Sequence, residues 1–304
     1  MSGIFKTFPY QEYILKGNAA CPGCGATLIL RYVLKALGHR TILVIPACCT
    51  SVIAGPYPKT AFGVPVLHIA FAASAAAASG IVEAVEQIGM RDVNVVVWAG
   101  DGGTVDIGLQ ALSGAAERNH NMVYICYDNE AYMNTGIQRS GATPYGAWTT
   151  TTPTGNKNVK KDLPMIMRAH NIPYIATLNP AFPNDIYSKV KKAKEIRGFK
   201  YFHALSPCPP GWRYDSSLTV EIARMAVLTG MWILYEQEYG DFRLTGPSRN
   251  LLEKRKRKPI VEYLKLQGRF RHLNDEDIDR IQRLVDDKWE EIKELLESNK
   301  INKK

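Results

Sequence analysis

The chain has 304 residues, 46% hydrophobic and 22% charged, with a formal net charge of +9, the composition of an ordinary globular protein with ample core. Residues 1–17 lack the basic-then-apolar pattern of a signal peptide. The apolar stretch 64–88 is mostly alanine broken by His68, Ser74, Glu83 and Glu86, which excludes a transmembrane span. The basic excess lies in local runs (189–194, 254–258, 300–304) without a zinc-finger, RNP-type or helix-turn-helix signature, so no nucleic-acid partner is expected. A soluble, cytoplasmic protein is expected.

In chain order, residues 27–37 read as a helix and 41–46 (TILVIP) as a buried strand. An alanine-rich helix follows over about 70–84, then a strand at 93–99 (VNVVVWA), a helix at 105–118 and a strand at 122–127 (MVYICY). Residues 130–160 are rich in Thr, Gly, Asn and Pro and too long for a simple connection, and loops of that kind are usually functional. The alternation resumes with a helix at 163–170, a strand at 174–178, a helix at 184–196 and a strand at 201–205. A charged amphipathic helix from 275 carries Ile278, Ile281, Leu284, Trp289, Ile292 and Leu295 on its apolar stripe. Near-continuous apolar strands alternating with helices predict an α/β fold with a doubly wound, mostly parallel sheet. Residues 1–215 form the α/β domain in this reading. Residues 216–304 form a helical extension that packs on the core or on a partner.

Two constellations carry chemistry. Gly100-Asp101-Gly102-Gly103 follows directly on a buried strand and precedes a helix, where strand ends of doubly wound sheets bind ligands. Glycines admit a phosphate close to the backbone, and a helix start offers free N–H groups. An aspartate beside phosphates needs a divalent cation between them, so Asp101 points to Mg²⁺. Asp128 and Asn129 follow the next strand, and 26 residues separate Gly-Asp-Gly from Asn129. The spacing resembles the thiamine-diphosphate signature. That resemblance makes Asp101, Asn129 and the Ala131 carbonyl the Mg²⁺ ligands, with Gly102, Gly103 and Thr135 touching diphosphate oxygens.

The second constellation is cysteine. Cys21-Pro-Gly-Cys24 is a turn that aims two thiolates at one centre, while Cys49 and Cys208 follow strand ends on the same sheet edge. Cys126 lies within an apolar strand as a small buried hydrophobe. Periodicity does not choose between Cys48 and Cys49, and a structural Cys₄ zinc remains an alternative to a cluster.

Segments 17–25 (GNAACPGCG), 100–109 (GDGGTVDIGL), 127–138 (YDNEAYMNTGIQ) and 142–147 (ATPYGA) together resemble the β subunit of pyruvate and other 2-oxoacid:ferredoxin oxidoreductases. The resemblance covers about residues 17–212. It implies one [4Fe–4S] cluster on Cys21, Cys24, Cys49 and Cys208, and it places Asn134 beside the reactive end of thiamine diphosphate. It also implies oxidative decarboxylation of a 2-oxoacid, pyruvate first, with the acyl group passed to coenzyme A and electrons to ferredoxin. Related enzymes act on other 2-oxoacids or oxalate. In the family the activating glutamate comes from a separate pyrimidine-binding domain, which partner subunits with ferredoxin-like clusters would complete. Non-redox thiamine decarboxylation is the alternative chemistry.

Overall fold

A computed structural model describes residues 8–301; the leading residues 1–7 and the last lysines of the 300–304 run lie outside the described residues. One eight-stranded sheet organises the chain, built from β1 (Thr41–Pro46), β2 (Val66–Ile69), β3 (Asn94–Gly100), β4 (Val123–Asp128), β5 (Tyr174–Leu178), β6 (Lys200–Leu205), β7 (Tyr235–Glu238) and β8 (Asp241–Leu244). Their order is β2-β1-β3-β4-β6-β5-β7-β8. The first six are parallel, and β7 and β8 join antiparallel to β5 and to each other.

The sequence dictates a sheet covered on both faces. Along β3, Val95, Val97 and Ala99 enter one core and Val96 and Trp98 the other, the alternation a strand imposes. The second core is roofed by α1 (Gly25–Leu37) and α6 (Pro183–Glu195), through residues such as Ile29, Leu34, Ile186 and Val190. The first core is covered by α3 (Ser74–Gln87), α4 (Leu109–Glu117), α5 (Leu163–Ala169), α8 (Thr219–Leu228), α9 (Ile260–Leu264) and α10 (Asp275–Ile301), while the short α2 (Cys49–Ala54) and α7 (Pro209–Trp212) stand at strand ends. Among the described residues no helix is long and apolar enough to cross a membrane.

Residues after 215 contribute to the main core. Ile281, Trp289 and Ile292, three members of the expected stripe, are buried there, and the Trp289 indole N–H donates to the Gly230 carbonyl at 3.0 Å. Trp289→Ala should therefore destabilise the chain by about 3–5 kcal/mol, measurable by denaturant unfolding, because it opens a large cavity and orphans that carbonyl.

Two local expectations differ. The expected helix at 105–118 divides into a π-helical turn, Gly102–Asp106, and α4, because the glycine pair lets the backbone widen after β3. The alanine-rich helix starts at Ser74 rather than near 70, since Val66–Ile69 pair with β1 as an edge strand. Its four residues, half-buried or exposed, show no clean apolar alternation in sequence. Cys49 follows the end of β1 and opens α2, with Cys48 at the turn before it.

The register aligns the strand ends. Pro46 pairs with Ile69, Gly100 with Tyr127 and Asp128 with Leu205, so segments after β1, β3, β4 and β6 emerge at one edge. The chain leaves β1 toward β2 on one side and β3 toward β4 on the other. Such a reversal opens a crevice in doubly wound sheets.

Candidate active site

That crevice holds a cleft of about 240 Å³, lined among others by Cys49, Phe71, Asp101, Gly102, Asn129 and Asn134. Its narrowness depends on the two glycines. A Cβ on Gly102 would lie 2.2 Å from the Tyr132 ring, and one on Gly103 would lie 2.9 Å from the Phe71 ring. Those rings pack edge to face at 6.1 Å, so two aromatic walls close over the glycine turn.

Asp101 is 1% exposed, and one of its oxygens accepts the Ser140 hydroxyl at 2.5 Å. Burial, reinforced by the neighbouring Asp128 carboxylate, pushes its pKa well above the usual carboxylate range, against the opposing pull of Ser140 and Lys160. Asn129 supplies the second half. With its amide nitrogen turned inward, it donates to Asp101 Oδ1 at 2.8 Å and to the Ala131 carbonyl at 2.9 Å. Half a turn of the amide presents its oxygen instead, and three oxygens then face one point. Adjacent ligands of an octahedral Mg²⁺, each about 2.0–2.1 Å from the ion, stand about 2.9 Å apart. The residues fit a Mg²⁺ ion in donor type and in spacing.

The cysteines gather at the same edge. Cys24 precedes α1, its N–H donates to the Cys21 carbonyl at 3.1 Å, and the next N–H, of Gly25, donates to the Pro207 carbonyl at 3.1 Å. Gly23 has φ +69°, and a Cβ there would meet the Ser216 carbonyl at 2.3 Å. The Cys21–Cys24 turn is therefore docked on the segment after β6. Burial raises the Cys49 thiol strongly, with further upward contributions from Cys208, Cys48 and Cys24. Burial likewise pushes Cys208 up to about 12, opposed by the Gly211 N–H and assisted by Cys24 and Cys21. These sulfurs lie within electrostatic reach of one another. Among the described residues no three His, Cys, Asp or Glu side chains are arranged to hold a single metal ion. Cys48 packs toward the second core beside Tyr127, and Cys126 is buried inside the first.

Asp101, Gly102, Gly103, Asn129 and Ala131 thus come together, and Asn134 and Thr135 line the cleft mouth. The Thr135 hydroxyl is exposed and donates to Gln138 Oε1 at 2.7 Å. Sequence reasoning missed the supports. Asp128 accepts from Lys160 at 2.5 Å and pairs with His203 at 2.8 Å. Although burial raises it most, Lys160 and His203 hold its pKa down to about 2. Asp106 gathers the Tyr132 hydroxyl (2.8 Å), the Gly141 N–H (2.9 Å) and Lys161 (2.8 Å), pinning the long loop beneath the glycine turn. The polar residues of that loop were the only sequence signal for such anchoring.

A family model described as "Thiamine pyrophosphate enzyme, C-terminal TPP binding domain" matches residues 47–204. The pyruvate synthase subunit PorB of Methanothermobacter thermautotrophicus is 52% identical over 290 residues, covering 94% of this chain and 99% of the relative. The chain belongs to the thiamine-diphosphate-binding subunits of the 2-oxoacid:ferredoxin oxidoreductases. Within that family, the ketoisovalerate oxidoreductase subunit VorB of Pyrococcus furiosus is 50% identical, covering 96% of each chain. A solved structure of 2-oxoglutarate:ferredoxin oxidoreductase from Magnetococcus marinus, with 2-oxoglutarate, coenzyme A and succinyl-CoA bound, shares the fold with a TM-score of 0.57 at 24% identity. It covers 72% of this chain and 82% of that one. The segment matched by the thiamine family model includes the oxygen donors and Cys49 but excludes Cys21, Cys24 and Cys208. The oxidoreductase relatives, in contrast, span nearly the whole chain.

Proposed function

We propose that this chain is the cofactor-binding subunit of a cytoplasmic enzyme that oxidatively decarboxylates a 2-oxoacid, with pyruvate the first substrate. A branched 2-oxoacid is the second reading, because the ketoisovalerate relative is nearly as similar as the pyruvate one. The observation that carries the proposal is the 2.8 and 2.9 Å spacing of the Asp101, Asn129 and Ala131 donors, which suits octahedral Mg²⁺. Asp101, Asn129 and the Ala131 carbonyl would hold the ion of thiamine diphosphate, and Gly102 and Gly103 would let its phosphates reach the backbone. Thr135 would exchange Gln138 for a diphosphate oxygen, and Asn134 would stand beside the reactive end. Cys21, Cys24, Cys49 and Cys208 would hold one [4Fe–4S] cluster. Residues 1–215 carry this machinery and residues 216–304 extend it.

When bound, thiamine diphosphate supplies the electron sink for loss of CO₂. The chain's own residues do the rest. Asp101 balances the ion's charge, Ser140 fixes its other carboxylate oxygen, and Phe71 and Tyr132 exclude water from the glycine turn. Cys21, Cys24, Cys49 and Cys208 would hold the [4Fe–4S] cluster, which when bound would supply a one-electron carrier between the cofactor and partner subunits with ferredoxin-like clusters, then ferredoxin, with coenzyme A as the acyl acceptor. The partners also supply the pyrimidine-binding domain.

Calorimetry on the assembled Asp101→Ala complex tests the cofactor assignment. Affinity for Mg²⁺–thiamine diphosphate should fall on the order of 10- to 100-fold, by analogy with other perturbed metal sites. Unchanged affinity would remove Asp101 from the site.

A further inference from the structure

Glu130 lies between two of the three oxygen donors, yet its own side chain turns away from them. Its φ is +68°, a left-handed conformation that costs energy for any residue with a Cβ, and it is only 3% exposed. Two cations hold it there: Lys160 Nζ at 2.9 Å and Arg269 Nη2 at 2.6 Å. The Thr143 hydroxyl donates to its carbonyl at 2.7 Å. Lys160 belongs to the long loop already described. Arg269 comes from the C-terminal extension, is 2% exposed, and has no place in the assignments above.

The surroundings of Arg269 join the two halves of the site. Its Nε donates to Gln267 Oε1 at 2.9 Å, and its guanidinium sits over the Trp212 indole, 3.8 Å from the ring centre. Trp212 donates its indole N–H to the Asn129 carbonyl at 2.8 Å and its backbone N–H to the Cys208 carbonyl at 2.8 Å. Next to it, a Cβ on Gly211 would stand 2.2 Å from Met133 Sδ and 3.3 Å from Cys208 Sγ. One guanidinium therefore touches Glu130, within the oxygen-donor segment, along its edge. On its face it touches the tryptophan that ends the Cys208 turn.

We propose that Arg269 is a positioning residue that locks the Cys208 turn against the Asn129–Ala131 segment, so that cofactor grip and cluster environment are set together. The inference rests on the cofactor and cluster assignments proposed above. Only arginine meets both demands. Its planar group stacks on an indole while its edge N–H groups bond a carboxylate, whereas a lysine ammonium meets the carboxylate alone.

The test uses the complete, cofactor-loaded complex in wild-type form and as Arg269→Lys, Glu130→Gln and Arg269→Met. Two readouts are taken on each: calorimetric affinity for thiamine diphosphate with Mg²⁺, and the electron paramagnetic resonance spectrum and midpoint potential of the reduced cluster. Arg269→Lys should weaken cofactor binding on the order of 10-fold and, in the same preparation, shift the cluster signal. Trp289→Ala, a destabilising change in the same extension but away from this bridge, should leave both readouts at wild-type values. If Arg269→Met does not fold, the lysine and glutamine variants carry the comparison. An Arg269→Lys complex with either readout unmoved overturns the coupling, as does a Trp289→Ala complex that reproduces both changes. A wild-type complex that binds no thiamine diphosphate, or contains no iron, sinks the underlying assignments, which separates that failure from failure of the coupling.

Discussion

Cys49→Ser should leave the assembled complex without an intact iron–sulfur cluster, whereas Cys48→Ser and Cys126→Ser should retain the full [4Fe–4S] complement. The contrast follows from the ligand set that the family resemblance implies. Cys49 opens α2 within electrostatic reach of Cys208 and Cys24. Its neighbour Cys48 lines the same cleft but packs against the second core near Tyr127, and Cys126 is sealed inside the first core. Serine is nearly isosteric, so Cys49→Ser should cost little stability, and loss of the cluster would report ligation rather than misfolding. Iron and sulfide analysis with the anaerobic visible spectrum decides the matter. A normal cluster in Cys49→Ser, with loss in Cys48→Ser, would reverse the ligand choice. Zinc in place of iron would return the four thiolates to a structural role.

The second large effect concerns assembly. The purified chain, loaded with cofactor and cluster but without partners, should give no reduction of ferredoxin or viologen by a 2-oxoacid and coenzyme A. The described residues build one sheet around one thiamine-binding edge, and the matching family model describes a C-terminal binding domain. In the proposed enzyme a second domain, on a partner subunit, presents the glutamate that activates the pyrimidine ring. Helix α3 is the candidate contact. Ala75, Ala78 and Val82 face the chain's own core, while Ala76 and Gly80 are exposed. A Cβ added at Gly80 would meet nothing within 4 Å. Small exposed side chains permit close approach of another helix, so Ala76→Trp should weaken complex formation in sedimentation analysis and leave the chain's own unfolding midpoint unchanged. Sustained turnover by the chain alone would sink this reading, and Glu83, Glu86 and Glu117 would become the first candidates for the missing acid.

The parallel strands were legible because each is a continuous apolar run, and their shared edge follows from topology. Asp101 and Asn129 were legible because they follow consecutive strand ends at a spacing that resembles the thiamine-diphosphate signature. Strand β2 was not, since a four-residue edge strand with exposed Leu67 and His68 carries no burial signal. Nor was the β7–β8 hairpin, whose YEQE and DFRL segments are held by pairing to β5 and by Glu236 with Lys192 and Arg243. Arg269 was invisible for a different reason. It lies far along the chain from Glu130 within a basic stretch, and only the folded topology brings them together.

The Asn129 amide can face Asp101 Oδ1 and the Ala131 carbonyl with either its nitrogen or its oxygen, and this has a consequence for loading. With the nitrogen inward it bonds both oxygens; with the oxygen inward it completes the three-oxygen set that suits the ion. Passing from one to the other takes half a rotation of one side chain, and the backbone need not move. Binding of the ion should therefore leave the backbone shape at this edge as it is, with the tip of one asparagine as the moving part.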